Sequence, residues 1–89
     1  MKLKTEKNPF YFESFSHELI AEINFTENDN DLIINRTFVN PNYRGQQLAQ
    51  QLLKELVENA KLNHKKIVPL CSFVQREFEK NTSYQKLQK

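Results

Sequence analysis

The sequence predicts an α/β domain in which a mixed sheet of about four strands packs against two helices, in the order β-β-β-α-β-α. Two changes of pattern along the chain predict this class. Residues 10–39 contain short apolar runs rich in aromatic and β-branched side chains, which favour strands. From residue 48 the apolar positions recur at steps of three and four, which is typical of an amphipathic helix. A chain of 89 residues has room for one domain at most.

Three runs in the first half predict strands. They cover residues 10–12, directly after Pro9, residues 18–25 and residues 32–39. The segment Glu-Asn-Asp-Asn-Asp at residues 27–31 is a dense turn signal. Because it lies between two strand-forming runs, it predicts an antiparallel hairpin.

The second half predicts a helix, a strand and a second helix. The strand, at residues 66–69, follows the long helix, so we expect it to lie parallel to the third strand through a right-handed crossover. The long helix ends in polar residues, with Asn63 as the expected left-handed cap. The second helix is expected to start with a capping box, formed by Ser72 as N-cap and Gln75 at the third helical position. The apolar face of the long helix comprises Leu48, Ala49, Leu52, Leu53, Leu56, Val57 and Ala60.

Composition excludes several classes of protein. The single cysteine, Cys71, excludes an intrachain disulfide framework and a cysteine-rich zinc site, and we expect no metal. No stretch approaches the roughly 18 apolar residues of a membrane span, and no apolar run follows the basic N-terminus. We therefore expect a cytoplasmic protein that does not contact a membrane. Residues 1–8 read as a flexible start and residues 9–89 as a single domain.

Charge is unevenly distributed along the chain. Residues 1–44 contain five basic and seven acidic side chains, whereas residues 45–89 contain eight and four. The positive excess in the second half suits an anionic small ligand, and an ordinary solvated surface explains it equally well. Nucleic acid is not expected, because the long helix carries Glu55 and Glu58 beside Lys54 and Lys61 and has no basic stripe.

The loop before the long helix is the sharpest motif. It reads Val-Asn-Pro-Asn-Tyr-Arg-Gly-Gln-Gln-Leu-Ala at residues 39–49 and contains Gly45, the only glycine of the chain. The first amides of a helix have no intrahelical partner and carry partial positive charge, so a strand, a loop and a helix start can bind phosphate. Arg44 adds a formal charge. Taken alone, one glycine fits a tight turn at least as well as a phosphate site.

Two stretches resemble a known family. Arg44-Gly45-Gln46-x-Leu48-Ala49, after a strand and a proline, resembles the acetyl-CoA pyrophosphate loop of the GCN5-related N-acetyltransferases (GNAT), whose signature is [Gln/Arg]-x-x-Gly-x-[Gly/Ala]. Pro-Leu-Cys-Ser-Phe-Val at residues 69–74 is similar to the second signature of the short, single-domain branch of that superfamily. In element order, the resemblance spans roughly residues 8–87.

The resemblance implies transfer of an acetyl group from acetyl-CoA to an amine or thiol. The acceptor molecule would be a small amine, a peptide or a protein. The amides of residues 44–49 would cradle the pyrophosphate. The strand end at residues 37–39 would splay from residues 67–68, leaving a gap for pantetheine, and an amide near Phe38 or Val39 would polarise the thioester carbonyl. The implied cofactor-binding residues are Phe38, Val39, Arg44, Gly45, Gln46, Gln47, Leu48, Ala49 and Ser72.

Three side chains are further candidates for chemistry. Cys71 directly precedes the expected N-cap, a position that lowers the pKa of a thiol, so its thiolate could accept the acetyl group as a covalent relay. A buried, inert cysteine is the alternative. Glu18 and Glu22 share one face of a strand, where a carboxylate could act as a general base. An ordinary solvent-facing surface is the plainer interpretation of that pair.

Several positions depart from the family pattern. Asn42 and Gln47 occupy the first and last signature positions, and Arg36 stands where the short branch tends to have histidine. Phe78 stands where many members have a tyrosine that protonates the departing CoA thiolate. These departures leave a second function open, a non-catalytic acyl-CoA-binding or protein-interaction module on the same fold. A homodimer is also open for so short a chain.

Overall fold

Five strands lie in one sheet in the order in which they occur along the chain. The computed structural model describes all 89 residues. Each of the first three strand pairs is antiparallel, and the last two strands are parallel. The predicted α/β class and the predicted hairpin and parallel pair are therefore confirmed. The strands are β1 (Lys2–Lys4), β2 (Phe10–Glu13), β3 (Leu19–Glu27), β4 (Asp31–Val39) and β5 (Lys66–Pro69).

Strand β1 was not expected from the sequence. Leu3 lies opposite Phe12 of β2, and the two lysines of β1 flank it on the edge of the sheet. Three residues with one apolar side chain are too few to give a periodic signal, and edge strands are often short and rich in lysine. The sheet therefore has one strand more than predicted, and its additional strand lies within residues 1–8.

Both main helices pack on the same face of the sheet. They are α1 (Leu48–Leu62) and α2 (Ser72–Lys80), and a short third helix, α3 (Thr82–Gln85), was not predicted. The whole apolar face of α1 is buried, and Val74 and Phe78 of α2 join the same core cluster. From the sheet, that cluster takes Phe10, Phe12, Ile20, Ala21, Ile23, Phe25, Leu32, Ile34 and Ile67. No helix is both long and apolar enough to cross a membrane.

The C-terminus of α1 differs from the prediction by one residue. Asn63 has φ −99°, so it is not left-handed, whereas His64 has φ 55°. The His64 amide donates to the Lys61 carbonyl over 3.3 Å, and the Lys65 amide donates to the Ala60 carbonyl over 2.9 Å. This bonding pattern is a Schellman motif, in which the left-handed residue is the one after the C-cap.

The predicted capping box of α2 is wrong. Cys71, not Ser72, is the N-cap, and no side chain forms a cap hydrogen bond there. The Cys71 carbonyl accepts the first helical bond from the Gln75 amide over 3.0 Å, so Ser72 already lies within the first turn. The Gln75 side chain instead donates to the Pro69 carbonyl over 3.0 Å, which ties the helix to the end of β5.

Replacing His64 by glycine should stabilise the fold. A side chain at φ 55° is strained, and glycine removes that strain, so we expect His64→Gly to raise the free energy of unfolding by about 0.5–1 kcal/mol in urea titrations. Asn63→Gly is the matched control, because Asn63 is not left-handed and its side chain donates to the Asn59 carbonyl. A loss of stability in His64→Gly equal to that of the control would contradict this assignment of the cap.

Candidate functional site

A cleft of about 290 Å³ opens where β4 ends and α1 and α2 begin. Two larger cavities of about 430 Å³ each are lined mainly by polar side chains. One lies between the C-terminal end of β5 and α2, and the other lies near Asn8. What distinguishes the cleft is the backbone at its mouth and not its size. Its walls comprise Thr37, Val39, Tyr43, Arg44, Gly45, Gln47, Leu48, Ala49, Gln50 and Phe73.

The mouth of the cleft is a continuous run of backbone amides without partners. Each N–H group from Arg44 to Gln50 lacks a hydrogen-bond acceptor within the protein, and the Gln51 amide is the first to bond, to the Gln47 carbonyl over 3.1 Å. No side chain caps α1 and no acidic residue lies in its first turn. Since helix starts carry partial positive charge, these donors are suited to an anion. The Arg44 side chain is exposed and forms no ion pair, which adds a full charge.

Two left-handed residues shape this run of amides. Gly45 has φ 84° and Gln47 has φ 56°. A Cβ atom built on Gly45 would meet no atom within 4 Å. The glycine is therefore required by its backbone angle and not by crowding from the protein, and the space that a side chain would take is open to a ligand.

Strands β4 and β5 separate beside the cleft. Their parallel pairing covers only Asp31–Ile34 of β4, and the last bond runs from the Leu70 amide to the Ile34 carbonyl over 3.1 Å. The β3–β4 register shifts at this point, which leaves Asn35 as an extra residue in a bulge. A bulge bends its strand. The end of β4 therefore remains paired to β3 while its other edge is open.

The alternation of β4 decides which amide faces this gap. The Asn40 amide donates to the Ile20 carbonyl over 2.8 Å, so Phe38, two residues earlier, also directs its N–H group toward β3, where it lies opposite Glu22. The intervening residue, Val39, directs its N–H group to the open side. It is thus the Val39 amide, and not that of Phe38, that lies at the edge of the gap.

Cys71 lies next to the cleft and is half-buried. Its Sγ is 3.5 Å from the Thr37 hydroxyl. Burial raises the pKa of the Cys71 thiol, but the Thr37 hydroxyl and the amides of Val74, Phe73 and Thr37 more than offset it, so the pKa is below that of an ordinary cysteine. The Thr37 hydroxyl is the largest of the interactions that favour the thiolate, and the amides at the start of α2 add to it.

The cleft gathers most, but not all, of the predicted residues. Phe38, Gln46 and Ser72 do not line it, whereas Val39, Arg44, Gly45, Gln47, Leu48 and Ala49 do. Tyr43, Gln50 and Phe73 were not singled out from the sequence. The amide of Gln50 is the last unpaired donor of α1. The sequence could have indicated this, because the first amides of a helix that starts at Leu48 have no intrahelical acceptor.

Phe78 and the nearby tyrosine lie away from the cleft. Phe78 is buried in the core, with its ring centroid 5.5 Å from that of Tyr84. Burial, followed by the charges of Glu77 and Glu58, raises the pKa of Tyr84. Tyr84 does not line the cleft, so it is placed to pack the C-terminal tail. No group of three histidine, cysteine, aspartate or glutamate side chains is arranged to hold a metal ion.

Comparison with known proteins gives the family. The sequence profile of the GCN5-related N-acetyl-transferase family matches residues 10–87. A solved structure of a GCN5-like protein from Staphylococcus aureus, determined by NMR, is similar with a TM-score of 0.79 and 33% sequence identity. That similarity covers 99% of this chain and 87% of the other. No curated protein matches significantly. The chain belongs to the GCN5-related N-acetyltransferase family, which confirms the resemblance stated from its loop motifs.

The hydroxyl of Thr37 should control the reactivity of Cys71. Thr37→Val removes the largest of the interactions that lower the pKa of the thiol, so we expect that pKa to rise and the rate of alkylation by iodoacetamide at neutral pH to fall severalfold. The pH dependence of the rate gives the pKa directly. Thr5→Val, at a threonine that lies away from the cleft and forms no side-chain hydrogen bond, is the matched control and should react like the unmodified chain. Equal profiles for all three proteins would show that the hydroxyl has no such effect.

Proposed function

We propose that the protein binds acetyl-CoA in the cleft and transfers the acetyl group to an amine. The observation that carries the proposal is the unbroken run of unpaired amides from Arg44 to Gln50, at the mouth of a cleft that leads to the open edge of β4. Membership of an acetyltransferase family supports the same reaction. Three parts of the cleft supply the binding and transfer steps: the start of α1, the open edge of β4 and Cys71.

The helix start is suited to the pyrophosphate of CoA. Its amides point outward, no carboxylate lies in the first turn, and Gly45 leaves room for phosphate oxygens to approach the backbone. Hydrogen bonds from backbone amides to a charged oxygen are about twice as strong as neutral ones. Arg44 supplies a charge at the same edge. Gln47, where the family signature has glycine or alanine, is exposed at this mouth, and its side chain forms no hydrogen bond that would hold it aside.

The open edge of β4 is suited to the acyl end of the carrier. Along that edge the Thr37 amide faces Cys71, and the Val39 amide has no neighbouring strand. An extended carrier arm can pair with such an edge as an added strand would. In this arrangement the Val39 amide donates to the thioester oxygen and stabilises the negative charge that develops there.

Two routes of transfer are compatible with the cleft. In direct attack, the neutral amine forms a C–N bond to the carbonyl carbon, the C–S bond breaks, and the proton of the amine is lost as CoA leaves as its thiol. In the relay, the Cys71 thiolate displaces CoA first and forms an acetyl thioester, which the amine then cleaves. The lowered pKa of Cys71 and its contact with Thr37, a cleft residue, favour the relay.

A non-catalytic acyl-CoA-binding module is the second candidate. Two observations favour it. Gln47 stands at the phosphate site in place of a small residue, and Phe78, which stands where many family members have a tyrosine, is buried in the core and has no proton to give to the departing thiolate. Such a module would bind the carrier with the same amides and catalyse no transfer.

Intact mass spectrometry after incubation with acetyl-CoA separates these possibilities. The relay predicts a mass increase of one acetyl group that is absent in Cys71→Ser. Direct attack predicts no adduct but formation of free CoA when an amine is added. A bound carrier, seen as a rise in melting temperature, with neither adduct nor free CoA for any amine, would leave the binding module as the function.

A carboxylate at the helix start should repel the pyrophosphate. We expect Gly45→Glu to weaken CoA binding about a hundredfold in titration calorimetry, because the new charge faces the anion. Gly45→Gln is the matched control, since it introduces the same backbone strain and nearly the same volume without the charge. We expect it to retain most of the affinity that Gly45→Glu loses. Unchanged affinity in Gly45→Glu would contradict a phosphate site at this loop.

A further inference from the structure

The sheet face opposite the helices carries a row of three side chains across neighbouring strands. Tyr11 of β2 and Phe38 of β4 each lie directly opposite Glu22 of β3. Their neighbours along the strands, such as Phe12 and Ile23, face the core beneath α1. Because successive side chains of a strand point to opposite faces, the row projects from the face without helices. None of its three members belongs to the core cluster.

Glu22 is a half-buried carboxylate without a partner. Other partly shielded carboxylates are paired: Glu77 with Lys80 at 3.5 Å, and Asp31 with Lys89 at 2.6 Å. Glu22 forms neither an ion pair nor a hydrogen bond, and Lys4 and Arg36, the cations at nearby positions on this face, form none with it. A partly shielded anion between aromatic rings suits a cation, since carboxylates and ring faces both attract positive charge.

The row lies directly behind the proposed reaction centre. Phe38 precedes Val39, whose amide faces the gap, and Glu22 is across β4 from that gap. Adjacent strands are about 5 Å apart, and a carbonyl bonded to the Val39 amide would lie a few ångströms beyond β4, so it is about 8–10 Å from the Glu22 carboxylate. An amine attacking that carbonyl therefore cannot be the group that Glu22 binds. A second amino group on a short aliphatic chain spans this separation.

We propose that the acceptor is an aliphatic diamine that lies across this face, with Glu22 holding one group as ammonium while the other, neutral group attacks the thioester. The inference rests on the proposed function and adds the chemical class of the acceptor. The attacking nitrogen forms a bond to the carbonyl carbon, the carbon–sulfur bond breaks, and CoA leaves with the proton that this nitrogen loses. The ammonium at Glu22 keeps its proton throughout, so Glu22 is a specificity-determining residue and not a base.

The test compares putrescine with butylamine, which has the same carbon chain and a single amino group. Both are offered as acceptors at saturating acetyl-CoA, and the release of free CoA is followed. We expect kcat/KM to be about fivefold higher for putrescine, because butylamine has to leave Glu22 to place its only nitrogen at the thioester, whereas putrescine keeps one ammonium there. Glu22→Gln should abolish the difference between the two ligands. Glu55→Gln, which neutralises an exposed and unpaired carboxylate on α1, should retain it.

The outcomes distinguish this inference from the proposed function. If CoA itself fails to bind, or neither amine is acetylated, the proposed function is wrong and the acceptor assignment fails with it. If CoA binds and the unmodified protein treats putrescine and butylamine alike, or Glu22→Gln keeps the preference for putrescine, the acceptor assignment alone is overturned. The comparison of the two ligands on the unmodified chain decides the question even if Glu22→Gln does not fold. The preference is expected through a lower KM for putrescine, with a similar kcat for the two amines.

Discussion

The backbone of residues 44–50 has donors that the protein itself does not satisfy, and the rest of the site is arranged around them. A chain that passes from a strand into a helix leaves such amides free, because the first amides of a helix have no preceding helical carbonyl to which they can donate. At α3 the same demand is met by capping, because the Asn81 side chain accepts from the Ser83 and Tyr84 amides. At α1 no side chain does so. The unpaired donors are therefore left to water or to an anion.

The core holds this helix start in place. Leu48 and Leu52 are buried against the sheet from the first turns of α1, so the amides are fixed relative to the end of β4. The bulge at Asn35 then turns the end of β4 away from β5 while the bonds to β3 continue. Packing thus fixes one wall of the cleft and the bulge opens the other. The same strand carries Val39 toward the cleft and Phe38 toward the opposite face, which connects the proposed carrier site with the proposed acceptor face.

Much of this arrangement follows from the sequence, and the remainder depends on contacts between distant residues. The apolar periodicity of residues 48–60 and the turn-rich segment 27–31 were sufficient for α1 and the hairpin, and the single glycine marked the loop of the candidate site. Strand β1 and the cap of α2 were missed or misplaced, because a three-residue edge strand has no period and the start of α2 is set by a bond to Cys71. The orientation of Val39 depends on the pairing of Asn40 with Ile20. That Glu22 lacks a partner is visible only once the strands are in register.

Titration of CoA into ¹⁵N-labelled protein tests the central claim most directly, because it observes the unpaired amides themselves. The account predicts saturable shifts of the amide resonances of Arg44 to Gln50, with the Val39 amide moving when acetyl-CoA replaces CoA. The amides of α3, none of whose residues lines the cleft, serve as the internal reference. If the resonances of residues 44–50 stay in place at millimolar carrier, these amides do not form a CoA site, and the assignment of the cleft is wrong.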